Sequence, residues 1–197
     1  MIAEERGRPM EDSLFEDDVK ALHAVSQGNR DAFETLYHRY HIKLNRFVFR
    51  ITQRTELVEE IVNDAMVVVW EKAATYKGTS KVSTWIFGIA YHKAIKTLQQ
   101  WSRINQQLDN NTEQLNQLPD VGQGVSNIQL TRDLKAMLTQ LPAEQRAVVE
   151  LTFYYGYSYP EIAAIVDCPV NTVKTRMFHA RRKLRELLPD GITYPEP

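Results

Sequence analysis

"PEIAAIVDCPVNTVKTRMFHARRKLREL", residues 160 to 187, carries two helical patterns separated by a short break. Pro160 suits the first turn of a helix, and Ile162, Ala163 and Val166 supply the inner face of a short one. Asp167, Cys168 and Pro169 interrupt it. Beyond the proline, Val173, Met177, Ala180, Leu184 and Leu187 recur at helical intervals, which makes one continuous apolar face. Two short helices joined by a three- or four-residue turn form a helix-turn-helix, whose second helix lies in the major groove of DNA.

The face opposite the apolar stripe holds Asn171, Lys174, Thr175, Phe178, Arg182 and Arg185, with Thr172, Arg176, His179 and Arg181 beside it. The whole chain has 24 basic and 25 acidic residues, for a net charge of −1, so affinity for nucleic acid has to come from local patches. Residues 171 to 188 are such a patch: six Lys or Arg against one Glu, where a merely solvated face would intersperse acids. Phe178 sits in the middle of the polar side. It either packs on thymine methyls and sugars, while Lys174, Arg176 and Arg182 meet phosphates or guanine edges, or it covers a neighbouring helix.

Upstream, apolar periodicity runs from Ile128 to Leu188, broken at Pro142, at the "YYGYSYP" stretch and at Pro169. Residues 99 to 127 differ: twelve of these 29 are Gln or Asn, joined by Pro119, Gly122 and Gly124, too polar to offset their ordering entropy. Before them, from about Val19 to Leu98, apolar residues return at helical spacing with no proline. Residues 1 to 18 hold seven acids against two arginines. The expected fold class is all-α: two small helical domains joined by a flexible linker, the second with the helix-turn-helix. The expected divisions are an acidic mobile lead at 1–19, a first domain at 20–100, a linker at 101–127, a second domain at 128–188 and a frayed tail at 189–197.

The first domain has its own chemistry. "TELVEEIVNDAMVVVWEKAATY" places Val58, Ile61, Ala65, Val68 and Val69 on a core stripe and Glu56, Glu60, Asp64 and Glu71 on an acidic line that includes Val67. That line is either a solvated flank or a docking surface for a basic helical partner. Next, "KGTSKVSTWIFGIAYHKAIKTLQQ" passes from a Ser/Thr/Lys loop into a helix apolar nearly all round, with a narrow polar sector of Gly88, His92 and Lys96, Trp85 at its edge and Lys93 beyond. Aromatic rings beside cations suit single-stranded nucleic acid, where bases stack and phosphates pair; a core Trp with an ordinary solvated stripe is the alternative.

Taken together, "ELVEEIVNDAMVVVWEKA…STWIFGIAYHKAIKTL" and "LPAEQRAVVELTFYYGYSYPEIAAIVDCPVNTVKTRMFHARRKLREL" resemble bacterial sigma factors of the extracytoplasmic-function group, in the sigma-70 family. The likeness covers residues 25 to 188. It implies that the first domain is sigma region 2, which docks on core polymerase and melts the −10 element, and the second is sigma region 4, which reads the −35 element. By position, Glu56, Glu60, Asp64 and Trp70 match the segment that docks on the coiled coil of the polymerase's largest subunit. The Gly78 to Ser83 loop, with Ser80 and Lys81, matches the loop that captures a flipped −10 base. Trp85, Tyr91, His92, Lys93 and Lys96 match the helix reading the non-template strand, and Asn171, Thr172, Lys174, Thr175, Arg176, Phe178, His179 and Arg182 match the −35 recognition helix. His92 and Lys96 stand where many members carry Asn and Asp, and Val166-Asp167 where a Leu-Gly turn is common; Asp tolerates the turn conformations required.

The implied partners are core RNA polymerase (coiled coil and flap), promoter DNA and an anti-sigma factor. No cofactor, small-molecule substrate or catalytic activity is expected: there is no phosphate-binding glycine loop, no HExxH, and the five histidines form no ligand set with the carboxylates. A dimeric helix-turn-helix regulator that acts on duplex DNA without joining polymerase is the rival, and it leaves the Trp85 segment without a role. The single cysteine, Cys168, and the lack of a signal-peptide pattern point to a cytoplasmic protein, with Cys168 a small residue buried in the turn.

Overall fold

The computed structural model describes residues 8–108 and 136–187. Seven helices span them: α1 (Arg8–Ser26), α2 (Arg30–Thr52), α3 (Thr55–Lys72), α4 (Val82–Leu108), α5 (Ala143–Phe153), α6 (Tyr159–Val166) and α7 (Val170–Leu187). A 3-10 turn, Ala73–Thr75, follows α3, and residues 136–139 form a further helical turn ahead of α5. No strand occurs among the described residues. No described helix is long and apolar enough to cross a membrane.

Local chemistry sets the boundaries. Asn29 caps α2, its side-chain oxygen accepting from the Ala32 amide at 2.9 Å, after Gly28 takes the left-handed turn at φ 84°. Ser158 opens α6, its amide and hydroxyl both donating to Glu161 Oε2 at 2.9 and 2.7 Å, and Pro160 lies in the first turn. Asp167 ends α6 in the left-handed region at φ 49°, a conformation usually left to glycine and tolerated by Asp. The Cys168 amide then donates to Ala163 O at 3.1 Å, and α7 starts directly behind Pro169.

Two boundaries differ from the sequence expectation. The segment expected as a mobile lead is helical from Arg8, and its Asp18 is buried, accepting from Arg39 and from the Tyr40 hydroxyl so that α1 is tied to α2. Similarly α4 runs on through Leu108, into the amide-rich stretch assigned to the linker. Residues 1–7, 109–135 and 188–197, which hold the rest of the expected lead and linker and the whole tail, lie outside the described residues.

The core is continuous. Leu22, Leu36, Leu44, Phe47, Ile61, Met66, Ile86 and Phe87 from the first half and Leu151, Ile162, Ile165, Val173 and Met177 from the second belong to one buried cluster. Each large apolar side chain removed from water contributes about 1.5–3 kcal/mol. The helices of the second half pack on the first, α6 across α4 and α5 against α2. Gly88 faces the α6 backbone: a Cβ there would stand 3.4 Å from the carbonyl oxygen of Ile165. Gly88 was expected in the narrow polar sector of α4; it is buried against α6 at the groove, because the neighbour that covers it lies far away in sequence.

Candidate nucleic-acid and polymerase interfaces

Three surfaces collect the residues singled out from the sequence. The first is a groove of about 500 Å³ between α3, the loop before α4, and α4, walled on its far side by Ala164 and Asp167 at the end of α6. Ser80, Trp85, His92, Lys93 and Lys96 line it together, joined by Val68, Lys72, Thr84 and Ile89. The Trp85 ring is half-buried and tilts against Tyr76 at 5.6 Å, and the Tyr76 hydroxyl donates to Ser80 O, which sets the loop's path. Thr84 is buried in the first turn of α4, and its hydroxyl has no hydrogen-bond partner in the structure.

Lys93, which lines the groove, and Lys81, which does not, are both already paired. Lys93 Nζ lies 2.9 Å from Asp64 Oδ2, linking the groove to the acidic line on α3, and Lys81 Nζ lies 3.1 Å from Glu161 Oε1 on α6. Tyr91 does not join the groove. It is buried at the contact between α4 and the second half, where burial raises its pKa and the neighbouring Arg176 pulls it back down.

The second surface is the outer side of α2 and α3. Glu56, Glu60 and Asp64 are exposed there, with Val67 about half exposed among them. The rows are held in register by Tyr37, whose hydroxyl donates to Asn63 Oδ1 at 3.0 Å and whose ring stacks on His41 at 4.9 Å, with His41 Nε2 3.8 Å from Glu59. Trp70 is half-buried, its ring edge-on to Phe33 at 5.3 Å, so it props this face more than it projects from it.

The third surface is α7. Val173, Met177 and Ala180 are buried as the periodicity requires, and Asn171, Lys174, Thr175, Phe178 and Arg182 are exposed on the opposite side, flanked by half-buried Thr172 and His179. Phe178 is 63% exposed and covers no helix among the described residues. Arg176 departs from the expected pattern. It is half-buried, with Nη2 3.7 Å from Glu144 on α5 and Nη1 4.0 Å from the Cys168 sulfur, and it abuts Tyr91. A position on the flank of the helix, and not on its outward face, turns it inward. Cys168 is half-buried in the turn, its thiol 3.6 Å from Pro169 O.

Sequence reasoning missed one charged cluster. Glu150 is buried on α5 and Arg50 on α2 reaches it, Nη1 to Oε2 at 2.6 Å, while the Arg50 guanidinium stacks 3.4 Å from the Tyr154 ring centroid. Burial pushes the Glu150 carboxyl up and Arg50 and Arg146 pull it down; burial also lowers the pKa of Arg146 to about 10. The signal was present: Glu150 falls on the apolar face with Ala147 and Leu151, and Arg50 lies beside Phe47 and Ile51.

The family models described as Sigma-70 region 2 and Sigma-70, region 4 match residues 36–104 and 131–184, in that order. The chain belongs to the sigma-70 family. The extracytoplasmic-function sigma-E factor of Escherichia coli K12 is 29% identical over 177 residues, 85% of this chain and 92% of that protein. The sigma-H factor of Pseudomonas aeruginosa is 24% identical over 182 residues, 88% and 94% of the two chains. Among solved structures, the sigma factor RpoE of Bartonella quintana, in complex with the anti-sigma factor NepR, is similar with a TM-score of 0.67 and 26% identity, covering 79% of this chain and 95% of that one. CnrH, in complex with the cytosolic domain of CnrY, shares the fold at a TM-score of 0.63. The region 2 match disfavours the duplex-only regulator, which has no use for that half of the chain.

Proposed function

We propose that this chain, an RNA polymerase sigma factor by family, divides promoter recognition among its three surfaces. The α2–α3 face, with Glu56, Glu60 and Asp64, docks on a basic helical element of core polymerase; the exposed side of α7 reads −35 duplex; the groove along α4 holds the melted −10 strand. Sigma-70 factors are non-enzymatic initiation factors, and the phosphodiester chemistry belongs to the polymerase. Melting needs no covalent step from this chain, since a surface that binds only the open strand shifts the duplex equilibrium toward it.

The observation that carries this reading is the groove. The loop residue Ser80 and the α4 residues Trp85, His92, Lys93 and Lys96 converge on one concavity, with an aromatic ring for stacking and cations for phosphates. The cationic α7 face and the acidic α3 face lie outside it. An anti-sigma factor is part of the reading, as the Bartonella quintana sigma factor of similar fold was solved with one. The test is reconstitution: core polymerase with this chain should yield promoter-specific transcripts that core alone does not, and their absence would overturn the assignment.

Within α7, Lys174 carries the prediction. Lys174→Ala should weaken −35 duplex binding across sequences and reduce the slope of log K against log salt by on the order of one unit, measured by titration from low to physiological salt. Arg176→Ala should leave that slope nearly unchanged, because its guanidinium is engaged with Glu144 and Tyr91.

A further inference from the structure

We propose that Lys72, at the end of the docking helix α3, is a further strand-binding residue, its ammonium pairing with the phosphate of the nucleotide whose base stacks on Trp85. The inference rests on the reading of the groove along α4 as the −10 strand site.

The register of the two walls brings the lysine and the ring together. Lys93 Nζ stands 2.9 Å from Asp64 Oδ2, which fixes where α4 lies beside α3. Four and eight residues further along α3 come Val68 and Lys72, and four and eight residues back along α4 come Ile89 and Trp85. All four line the groove, as antiparallel walls require. At 1.5 Å per residue, Lys72 and Trp85 therefore stand at one level, about 12 Å from the Asp64–Lys93 bridge. Lys96 lies about 16 Å beyond Trp85 in the other direction along α4.

The distribution of free charge favours the same residue. Lys93 is committed to Asp64, whereas Lys72 and Lys96 are exposed and have no ionic partner among the described residues. Of these two, Lys72 is the one level with the ring. A base that stacks on Trp85 carries its phosphate only a sugar away, and a compact ammonium on a flexible stem meets such a charge without a fixed angle of approach.

Lys72 also lies in the last turn of α3, where a cation offsets the partial negative charge of the helix C-terminus. That role accounts for the charge but not for its place on the groove wall. It predicts lower stability with no change toward DNA, so the two roles separate by experiment.

Methylphosphonate substitution reads the contact, because it removes the negative charge from one phosphate at a time. The probe is a fork-junction DNA with a single-stranded −10 non-template strand, bound by core polymerase with the full chain in saturating excess. In wild type, substitution at one −10 phosphate should weaken binding about fivefold, the factor for an exposed pair of about 1 kcal/mol. That phosphate should adjoin the base whose permanganate reactivity depends on Trp85. Lys72→Ala should weaken the unmodified probe by a similar factor, lower the slope of log K against log salt by about 0.7, and become indifferent to substitution at that phosphate. Lys72→Arg should restore the sensitivity. A Lys72→Ala variant as sensitive as wild type at every phosphate overturns the proposal. So does a lowered urea midpoint with unchanged strand binding, which leaves only the dipole role. Sensitivity that Lys96→Ala removes and Lys72→Ala does not assigns the phosphate to Lys96 and overturns it equally. Failure of the groove reading is seen separately, as a wild type with no sensitive phosphate anywhere in the −10 strand.

Discussion

Phe87→Ala should lower the free energy of unfolding by about 3–5 kcal/mol, read as a reduced urea midpoint at constant slope. Phe87 is 1% exposed and is surrounded by rings: Phe47 at 5.0 Å, Tyr155 at 4.9 Å and Tyr157 at 5.6 Å. Truncation therefore leaves a cavity with aromatic walls from both halves of the chain, which cannot all collapse into it. Part of the loss falls on docking of the halves and part on the first half itself. A Phe87→Ala, Tyr155→Ala double mutant separates them: residues in contact couple by about 0.5–3 kcal/mol, so the double should cost less than the sum of the singles. Strict additivity would mean that Tyr155 only brushes the first half, and a loss below about 1 kcal/mol for Phe87→Ala would contradict its place at the centre of the core.

The second large effect concerns function. Trp85→Ala should leave binding to −35 duplex intact and abolish most of the permanganate reactivity of −10 thymines in complexes with core polymerase. Stacking of a base on an aromatic side chain contributes about 1–3 kcal/mol, a factor of about 5 to 150 in affinity for the open strand. The Trp85 ring lines the groove and is only half-buried, so its removal perturbs the fold far less than the loss of Phe87, two positions on and around the helix. If Trp85→Ala and Lys174→Ala fail equally at duplex binding, the division of labour between α4 and α7 is wrong.

Where a residue's environment is made by its own helix, the sequence was legible. Val173, Met177 and Ala180 are buried and Phe178 is exposed because a 3.6-residue period separates those faces whatever the helix packs on. The break at Asp167 to Pro169 and the acidic line on α3 follow from equally local chemistry. Arg176 shows the limit of this reasoning: a wheel places it on a flank, and only the neighbouring Glu144 and Tyr91 decide that the flank faces inward.

The sequence by itself determined the all-α class, the helix-turn-helix and the separation of acidic, aromatic and cationic surfaces, since each depends on periodicity, capping and turn residues acting over a few positions. Tertiary structure alone decided that Gly88 lies beneath Ile165, that Glu150 is buried against Arg50, and that the two halves share one core. The physical reason is range. Those contacts join residues tens to a hundred positions apart, and desolvation of a group depends on what covers it.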